Sequence, residues 1–151
     1  MTWRYLRWRK KISIPTDSEG YYSLECPYCK ERFKALGGDV DEEETLELFC
    51  PSCGLVEDSN NFIPQEVIEH AKTLAMNYMK QQINKTFKKT SRSMKGSGIS
   101  FDYKELKEEQ PKQLTEDEKM EQIELHCCDK TIKVHADQTR DTIYCPFCGV
   151  N

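Results

Sequence analysis

The sequence predicts a small α+β fold in which two short β-hairpin modules, each closed by cysteines, are joined by a long amphipathic helix and a flexible linker. Three observations lead to this prediction. The eight cysteines fall into two groups of four, and one central segment has the apolar spacing of a helix. Hydrophobic residues make up only 37% and charged residues 32% of the 151 residues, which is too little apolar surface for one large core.

Something besides apolar burial has to hold such a chain together, and cysteines do so through disulfides or through metal. Residues 1–11 interleave aromatic side chains with Arg and Lys, so no apolar stretch follows the charges as a secretory signal requires. The chain also lacks a run of roughly 18 apolar residues that would span a membrane. We therefore expect a cytoplasmic, reducing location in which the thiols are free to bind metal.

The first cysteine group has the spacing of a tetrahedral metal site. Cys26 and Cys29 are separated by two residues, as are Cys50 and Cys53, and twenty residues lie between the two pairs. Two thiolates on one tight turn can face a single ion, so two such turns supply the four sulfur ligands that zinc prefers. This spacing is a strong signal for a metal-stabilised module.

Two segments between these cysteine pairs, 31–36 and 45–49, alternate polar and apolar residues. They predict two antiparallel strands with one buried face, and the chain begins its reversal between them at Gly37. The turns read Cys-Pro-Tyr-Cys and Cys-Pro-Ser-Cys-Gly, and with this hairpin the chain resembles the zinc ribbon family over about residues 21–58. The resemblance implies one zinc ion held between the two turns.

A second, degenerate copy of this pattern lies in residues 122–151. Cys145 and Cys148 match the second turn of the family, including the proline and the following glycine. Cys128 matches the last cysteine of the first turn, because the alternating strand 131–134 follows it. The sequence therefore predicts a second zinc ribbon and a second zinc ion.

The fourth ligand of this second ion is left open by the sequence. The two residues that normally separate the first pair are missing, so Cys127, His126 or His135 could complete the site. Adjacent cysteines that bind one ion strain the backbone. We nevertheless expect Cys127 to be the ligand, with His126 as the next candidate.

Four thiolates leave no open coordination position on an ion, so we expect a structural metal and no enzymatic activity. The tetrapeptide from Cys26 to Cys29 also looks like the glutaredoxin active site, which would make the protein a dithiol oxidoreductase. That chemistry needs the first cysteine at a helix N terminus, whereas its flanks here have strand patterns. Hydrolytic zinc sites typically have three protein ligands and a nearby base, and no His-x-Glu motif is present.

Residues 64–89 form the clearest predicted helix. Pro64 suits its first turn, and apolar residues recur three or four positions apart along one stripe. The stripe consists of Val67, Ala71, Leu74, Ala75, Tyr78, Met79, Ile83 and Phe87. The helix should end before Gly96, where serines and glycines accumulate.

The segment that follows the helix is acidic, with nine Asp or Glu residues against four Lys between Asp102 and Glu124. We expect it to be a solvated connector, with one short helical turn beginning near Leu114. The predicted organisation is a basic aromatic arm (1–19), a zinc ribbon (20–60), a basic amphipathic helix (61–95), an acidic linker (96–121) and a second zinc ribbon (122–151).

Charge distribution is the main guide to function. From His70 to Ser100 the chain has seven Lys or Arg residues and no acid, which favours contact with phosphates. The candidate nucleic-acid contacts are Lys80, Lys85, Lys88, Lys89 and Arg92 on the helix and Arg4, Arg7 and Arg9 on the arm, where Trp3, Tyr5 and Trp8 could stack on bases. Eight acidic residues between Asp39 and Asp58 would repel phosphate, and a basic helix face can also be simply solvated.

We therefore expect a non-catalytic zinc-binding accessory module, associated with an assembly that handles nucleic acid. The alternative is a protein–protein adaptor without nucleic-acid contact, in which the apolar stripe of the helix lies in a groove of a partner. If the two ribbons are too small to cover that stripe, its exposure predicts self-association through the 64–89 helix or a larger host complex.

Overall fold

The computed structural model describes residues 14–40, 45–99, 101–116 and 119–151. Its described part is a small α+β fold of antiparallel hairpins and one long helix. The strands are β1 (Tyr21–Glu25), β2 (Arg32–Leu36), β3 (Glu47–Phe49), β4 (Val56–Asp58), β5 (Glu121–Leu125) and β6 (Lys130–Val134). The helices are the single turn α1 (Gly37–Val40) and the long α2 (Gln65–Met94), with short 3-10 turns at Ser59–Phe62, Lys95–Ser97 and Gln138–Arg140.

The predicted pairing of segment 31–36 with segment 45–49 is wrong. β2 pairs with β1, β3 pairs with β4, and β5 pairs with β6, each in antiparallel register. Three of the four cysteine turns therefore connect the two strands of a hairpin. After β2 the chain continues into α1 at Gly37, which removes the reversal that would have joined the two predicted strands.

The two cysteine-rich parts do not form separate modules, because their hairpins share one sheet in the order β1-β2-β6-β5. β2 and β6 pair with Phe33 opposite Val134, Lys34 opposite Lys133 and Ala35 opposite Ile132. The core of this sheet includes Phe33, Ile132 and Val134, all essentially inaccessible to solvent. Both halves of the chain thus contribute to one core, which neither hairpin could build alone.

A cluster of buried charges lies where β2 and β6 meet. The Lys34 side chain is fully buried and its Nζ lies 3.2 Å from Glu116 and 3.7 Å from Asp17. Lys133 lies 2.8 Å from the same Asp17 carboxylate and also pairs with Glu19. Burial would raise the pKa of Asp17, but hydrogen bonds from Lys133 and from backbone amides leave that pKa lowered. Paired in this way, the charges avoid the large cost of burying a lone ion.

α2 begins at Gln65, directly after Pro64, and its 30 residues correspond to a length of about 45 Å. It continues past residue 89 to Met94 and ends before Gly96, as expected, and a 3-10 turn then leads to Gly98, which has φ of 76°. The two terminal guanidinium nitrogens of Arg32, Nη1 and Nη2, donate to the Glu66 carboxylate at 2.8 and 2.6 Å and attach the start of the helix to the sheet. No helix in the described ranges is long and apolar enough to cross a membrane.

Composition predicted a solvated, flexible linker after the helix, but residues 101–112 lie along α2, and we call them the strap. Asn77 exchanges two hydrogen bonds with the backbone of Glu109, at 2.6 and 2.9 Å. Asn84 exchanges two with the backbone of Leu106, both at 2.9 Å. His70 Nδ1 donates to the carbonyl of Lys112 at 2.7 Å. These contacts satisfy backbone groups that would otherwise need water.

The strap contacts follow a numerical match between helix and extended chain. His70, Asn77 and Asn84 are seven residues apart, while Lys112, Glu109 and Leu106 are three apart. Seven helical residues advance about 10.5 Å, and three extended residues advance about 10 Å. The helix thus presents a polar side chain at each point where the strap offers a peptide group.

Two further predictions fall on this part of the chain. The helical turn expected from Leu114 is not formed in residues 113–116, which have no regular structure, and residues 117–118 are outside the described ranges. Residues 1–13 of the basic aromatic arm, including Arg4, Arg7 and Arg9, also lie outside the described residues.

Candidate metal centres

The first cysteine site brings together the four sulfurs that the sequence pattern grouped. The Sγ atoms of Cys26, Cys29, Cys50 and Cys53 all lie within 4.8 Å of one another, and the four residues could hold a metal ion. Cys26 Sγ lies 3.8 Å from Cys53 Sγ, and Cys29 Sγ lies 3.6 Å from Cys50 Sγ. None of the eight cysteines is in a disulfide.

Burial and backbone amides act against each other at this site. Cys26 and Cys50 are completely buried, and burial raises the pKa of Cys50. The amides of Ser52 and Cys53 donate to Cys50 Sγ at 3.4 and 3.5 Å. Burial also acts to raise the pKa of Cys26, but hydrogen bonds from the backbone of Cys29 and Tyr28 leave it lowered. The turns are therefore shaped to stabilise negative sulfur in an apolar setting.

The second site gathers four sulfurs as well. Cys127, Cys128, Cys145 and Cys148 place their Sγ atoms within 4.8 Å of one another and could hold a metal ion. Cys128 Sγ lies 3.8 Å from Cys145 Sγ, and Cys127 Sγ lies 3.5 Å from Cys148 Sγ. The group contains Cys127, as expected, and neither His126 nor His135 joins it.

The β5–β6 turn has the same length as the β1–β2 turn, but one ligand has moved within it. Cys26 pairs across its turn with Glu31, and Leu125 pairs with Lys130 in the equivalent place. Leu125 is buried like Cys26, so leucine fills the position of the missing thiol. The sequence pattern matched Cys128 to Cys29, in agreement with this geometry, but it did not identify Leu125 as the counterpart of Cys26 because no cysteine marks that position. Lys30 and Asp129, with positive φ of 65° and 51°, mark the shared turn geometry.

This shift places Cys127 where the first turn has Tyr28, a side chain that is 53% exposed. Cys127 and Cys148 are both exposed, whereas Cys145 is buried. Contacts with the neighbouring thiols of Cys145 and Cys148 raise the pKa of Cys127 to about 11. A hydrogen bond from the Val150 backbone is the main reason that the pKa of Cys148 is lowered to about 7. One side of the second site therefore faces solvent.

The second turns of the two sites contact each other reciprocally. Phe49 N donates to the carbonyl of Pro146, and Tyr144 N donates to the carbonyl of Pro51, both at 2.9 Å. Phe49 and Tyr144 each directly precede the first cysteine of their turn, and Pro51 and Pro146 directly follow it. The two sites are thus related by an approximate two-fold exchange of the same contacts.

Two glycines make this contact sterically feasible. Gly54 and Gly149 each follow the last cysteine of their turn and have positive φ of 72° and 74°. A Cβ added to Gly54 would lie 3.2 Å from the Tyr144 ring, and one added to Gly149 would lie 2.8 Å from the Phe49 ring. Each glycine therefore accepts the aromatic side chain of the other turn.

Comparison of this chain with protein-family models, with curated proteins and with solved structures finds no match. The two groups of four cysteines are compatible with zinc-ribbon-like modules.

The structure gathers four of the five basic residues predicted on the helix. Lys85, Lys88, Lys89 and Arg92 line one shallow depression on the distal half of α2, and we call this cluster the basic tip. Lys80 does not belong to it, because its ammonium group pairs with Glu109 of the strap at 2.6 Å. The strap thus separates one predicted phosphate contact from the other four.

The alternative of dithiol redox chemistry finds little support in the geometry. Cys26 directly follows β1, so no helix N terminus lowers the pKa of its thiol. Its sulfur also lies within 3.8 Å of Cys53, in a group of four rather than a pair.

Proposed function

We propose that this protein is a non-catalytic accessory module, built on two zinc ribbons, that binds nucleic acid through the basic tip within a larger assembly. The observation that carries the proposal is the basic tip itself. Its four cations share one helix face, and among the described residues none of them forms an ion pair that would neutralise it. Cations placed in this way can replace the counterions of a phosphate backbone.

Sulfur spacing supports zinc as the metal. A Zn–S bond of about 2.3 Å in tetrahedral geometry places neighbouring sulfurs about 3.8 Å apart. The four sulfur–sulfur distances quoted above lie between 3.5 and 3.8 Å. Four thiolates also complete the coordination sphere, so zinc here would stabilise the fold and leave no position for a substrate.

Native mass spectrometry tests the metal directly. We expect two zinc ions per chain, lost after treatment with a chelator under reducing conditions. A chain that carries no zinc, or that keeps its far-UV and near-UV circular dichroism unchanged after complete removal of the metal, would contradict the proposal.

Nucleic-acid binding is tested by fluorescence anisotropy at two salt concentrations. We expect binding at 50 mM salt that weakens steeply by 200 mM, because phosphate contacts release counterions. Lys88→Glu should abolish it, whereas Lys72→Glu, on the same helix but outside the basic tip, should have a much smaller effect. No binding at low salt, or equal effects of the two variants, would remove this part of the proposal.

A second function, as a protein adaptor, is favoured by a different observation. Much of the exposed apolar surface lies on α2 and the residues that follow it: Met76, Met79, Ile83, Phe87, Ile99, Phe101 and Leu106. Phe87 packs against Phe101 and Tyr103, with ring centroids 5.9 and 5.7 Å apart, yet remains 40% exposed. Exposed patches of this kind mark association sites.

Sedimentation velocity tests whether a second copy covers this surface. If it does, the wild-type chain will sediment as a dimer, and Ile83→Glu will convert it to a monomer with its zinc content unchanged. Val56→Glu, at an exposed apolar position in β4, is the matched control and should leave the dimer intact. A wild-type monomer at all concentrations would exclude self-association and leave a heterologous protein partner to be sought.

A further inference from the structure

The helix around the basic tip has polar side chains of the kind that read base edges, but the strap occupies most of them. Asn77 and Asn84 each use both their amide nitrogen and their amide oxygen on strap peptide groups. Gln81 donates its amide to Glu108 at 3.0 Å. Asn and Gln recognise adenine through this same pair of amide atoms. Asn77 and Asn84 are therefore unable to read sequence while the strap is in place, and Gln81 retains only its amide oxygen.

Hydroxyl groups near the basic tip are also occupied. Thr86 Oγ1 donates to the Gln82 carbonyl at 2.9 Å, and Thr90 Oγ1 donates to the Thr86 carbonyl at 3.0 Å. Ser91 Oγ donates to the strap carbonyl of Phe101 at 3.1 Å. Thr86, Thr90 and Ser91 thus donate their hydroxyl hydrogens to backbone carbonyls, and the distal half of α2 presents mainly cations to a ligand.

Among the described residues, the face of α2 that carries the basic tip has no aromatic ring on which a base could stack. Lys85, Lys88, Lys89 and Arg92 have the spacing of a single helix face, and Phe87 falls on the other side of the helix. There its ring is engaged with those of Phe101 and Tyr103. Proteins that bind single strands stack successive bases on aromatic side chains beside a basic groove. The basic tip has the positive charge of such a groove but no aromatic side chain on which bases could stack.

From these observations we infer that the basic tip binds the phosphate backbone of a nucleic-acid duplex without reading its sequence. This inference rests on the proposed function and specifies its ligand. Four cations contact phosphates, and Lys80 is excluded because Glu109 neutralises it. In the distal half of α2, the cations of the basic tip and the exposed Gln82 and Ser93 are the side chains that could still contact base edges, so any sequence preference would trace to them.

The salt dependence of binding gives a quantitative test. Each phosphate contact on B-DNA contributes about −0.9 to the slope of log K against log salt. Lys88→Ala should therefore make the slope shallower by about 0.9, whereas Lys80→Ala, the matched control, should leave it unchanged. Equal changes in both variants would overturn the assignment of the contacts.

The probes are two 20-base-pair DNA duplexes of unrelated sequence, an RNA duplex and a single strand, each titrated with the full-length, zinc-loaded chain. The inference is supported if the two DNA duplexes bind with affinities within twofold of each other and the single strand binds more weakly. Binding of the RNA duplex would show that the basic tip accepts the phosphate backbone of either kind of duplex. A tenfold preference for one DNA sequence or for the single strand overturns the inference while the proposed function stands. No binding to any probe at low salt overturns the proposed function itself.

A full-length variant separates the basic tip from the N-terminal arm. Replacing Trp3 and Trp8 with Ala removes the aromatic side chains that could stack on bases elsewhere in the chain. We expect the change in slope caused by Lys88→Ala to be the same in this background. A loss of that change would show that the arm, and not the basic tip, makes the contact.

Discussion

The first turns of the two cysteine sites are equal in length and lie in one shared sheet, but the sites differ in where one sulfur comes from. In the first site Cys26 supplies it from a buried position at the end of β1. In the second site a leucine, Leu125, fills that position, and Cys127 supplies the sulfur from the exposed part of the turn. The same grouping of four sulfurs is therefore reached from two backbone positions, and the second grouping is more accessible to solvent.

The two sites also differ in how far they contribute to the hydrophobic core. Cys26 and Cys50 belong to the same buried cluster as Phe33, Leu48 and Phe62, so the first site is part of the core. In the second site Cys145 also belongs to that cluster, whereas Cys127 and Cys148 lie outside it. Loss of metal from the first site, which has two cysteines in the buried cluster, should therefore disturb the core more than loss from the second, which has one.

The largest expected effect comes from removing one ligand at each site. Cys26→Ser leaves three sulfurs in a completely buried setting, and we expect loss of the first zinc together with loss of tertiary structure, because binding free energy at structural zinc sites is folding free energy. Cys127→Ser should lose only the second zinc. Native mass spectrometry and near-UV circular dichroism measure both outcomes, and equal disruption by the two variants would refute the comparison.

The glycine contacts between the sites should be the next most sensitive feature. Alanine at Gly54 or Gly149 has to adopt a positive φ, which costs about 1–2 kcal/mol. Gly149→Ala should cost roughly 1 kcal/mol more, because its Cβ would lie 2.8 Å from the Phe49 ring compared with 3.2 Å from the Tyr144 ring at Gly54. Urea unfolding with excess zinc measures this.

Gly38 provides the control for these two variants. A Cβ added there meets no heavy atom within 4 Å, and its φ is not positive. Gly38→Ala should change the free energy of unfolding by less than about 0.5 kcal/mol. If Gly54→Ala were as mild as this control, the reciprocal contact would not stabilise the fold.

A smaller, opposite effect is expected from restoring the ligand order of the first site in the second. Leu125→Cys combined with Cys127→Tyr recreates the Cys-x-x-Cys spacing and places a tyrosine where the first turn has Tyr28. We expect zinc to be held about tenfold more tightly, which corresponds to about 1.4 kcal/mol. Competition with a chromogenic chelator measures the affinity. Weaker binding would mean that the β5–β6 turn requires Leu125 for packing.

The smallest expected effect is a difference in accessibility within the wild-type chain. During partial chelation in the presence of iodoacetamide, Cys127 and Cys148 should be alkylated several-fold faster than Cys26 and Cys50, because the first two are exposed and the last two are buried. Peptide mass spectrometry gives the order of modification. Simultaneous modification of all four would show that the sites release metal in one cooperative step.

Local features of the sequence predicted local structure well. The cysteine spacing identified the first group of four and three members of the second, for which Cys127 was the preferred fourth candidate. The apolar periodicity identified α2, with Pro64 at its start. Strand pairing was predicted less well, because β2 pairs with β1 and with β6, which lies about a hundred residues away along the chain. Alternation indicates that a segment is a strand but carries no information about its neighbour.

The strap and the buried lysines were missed for related physical reasons. An acidic composition indicates that the side chains of a segment favour water. The strap nevertheless lies along the helix, because its backbone groups form the hydrogen bonds. The seven-residue spacing of His70, Asn77 and Asn84 was a readable signal for it. Lys34 is fully buried despite its charge, because Asp17 and Glu116 arrive from distant segments to pair with it. The sequence near Lys34 does not indicate these partners, because both are distant from it along the chain.

The match between helix and strap also limits how this protein can vary in length. Deleting seven residues from α2 removes one polar anchor, and the next anchor then meets the strap only if three residues are deleted there too. Homologous chains in which α2 and the strap are shorter or longer should therefore differ by paired insertions or deletions of seven residues in α2 and three in the strap. The cysteine sites would be untouched by such changes, so the distance between the metal centres and the basic tip is free to evolve in steps of about 10 Å.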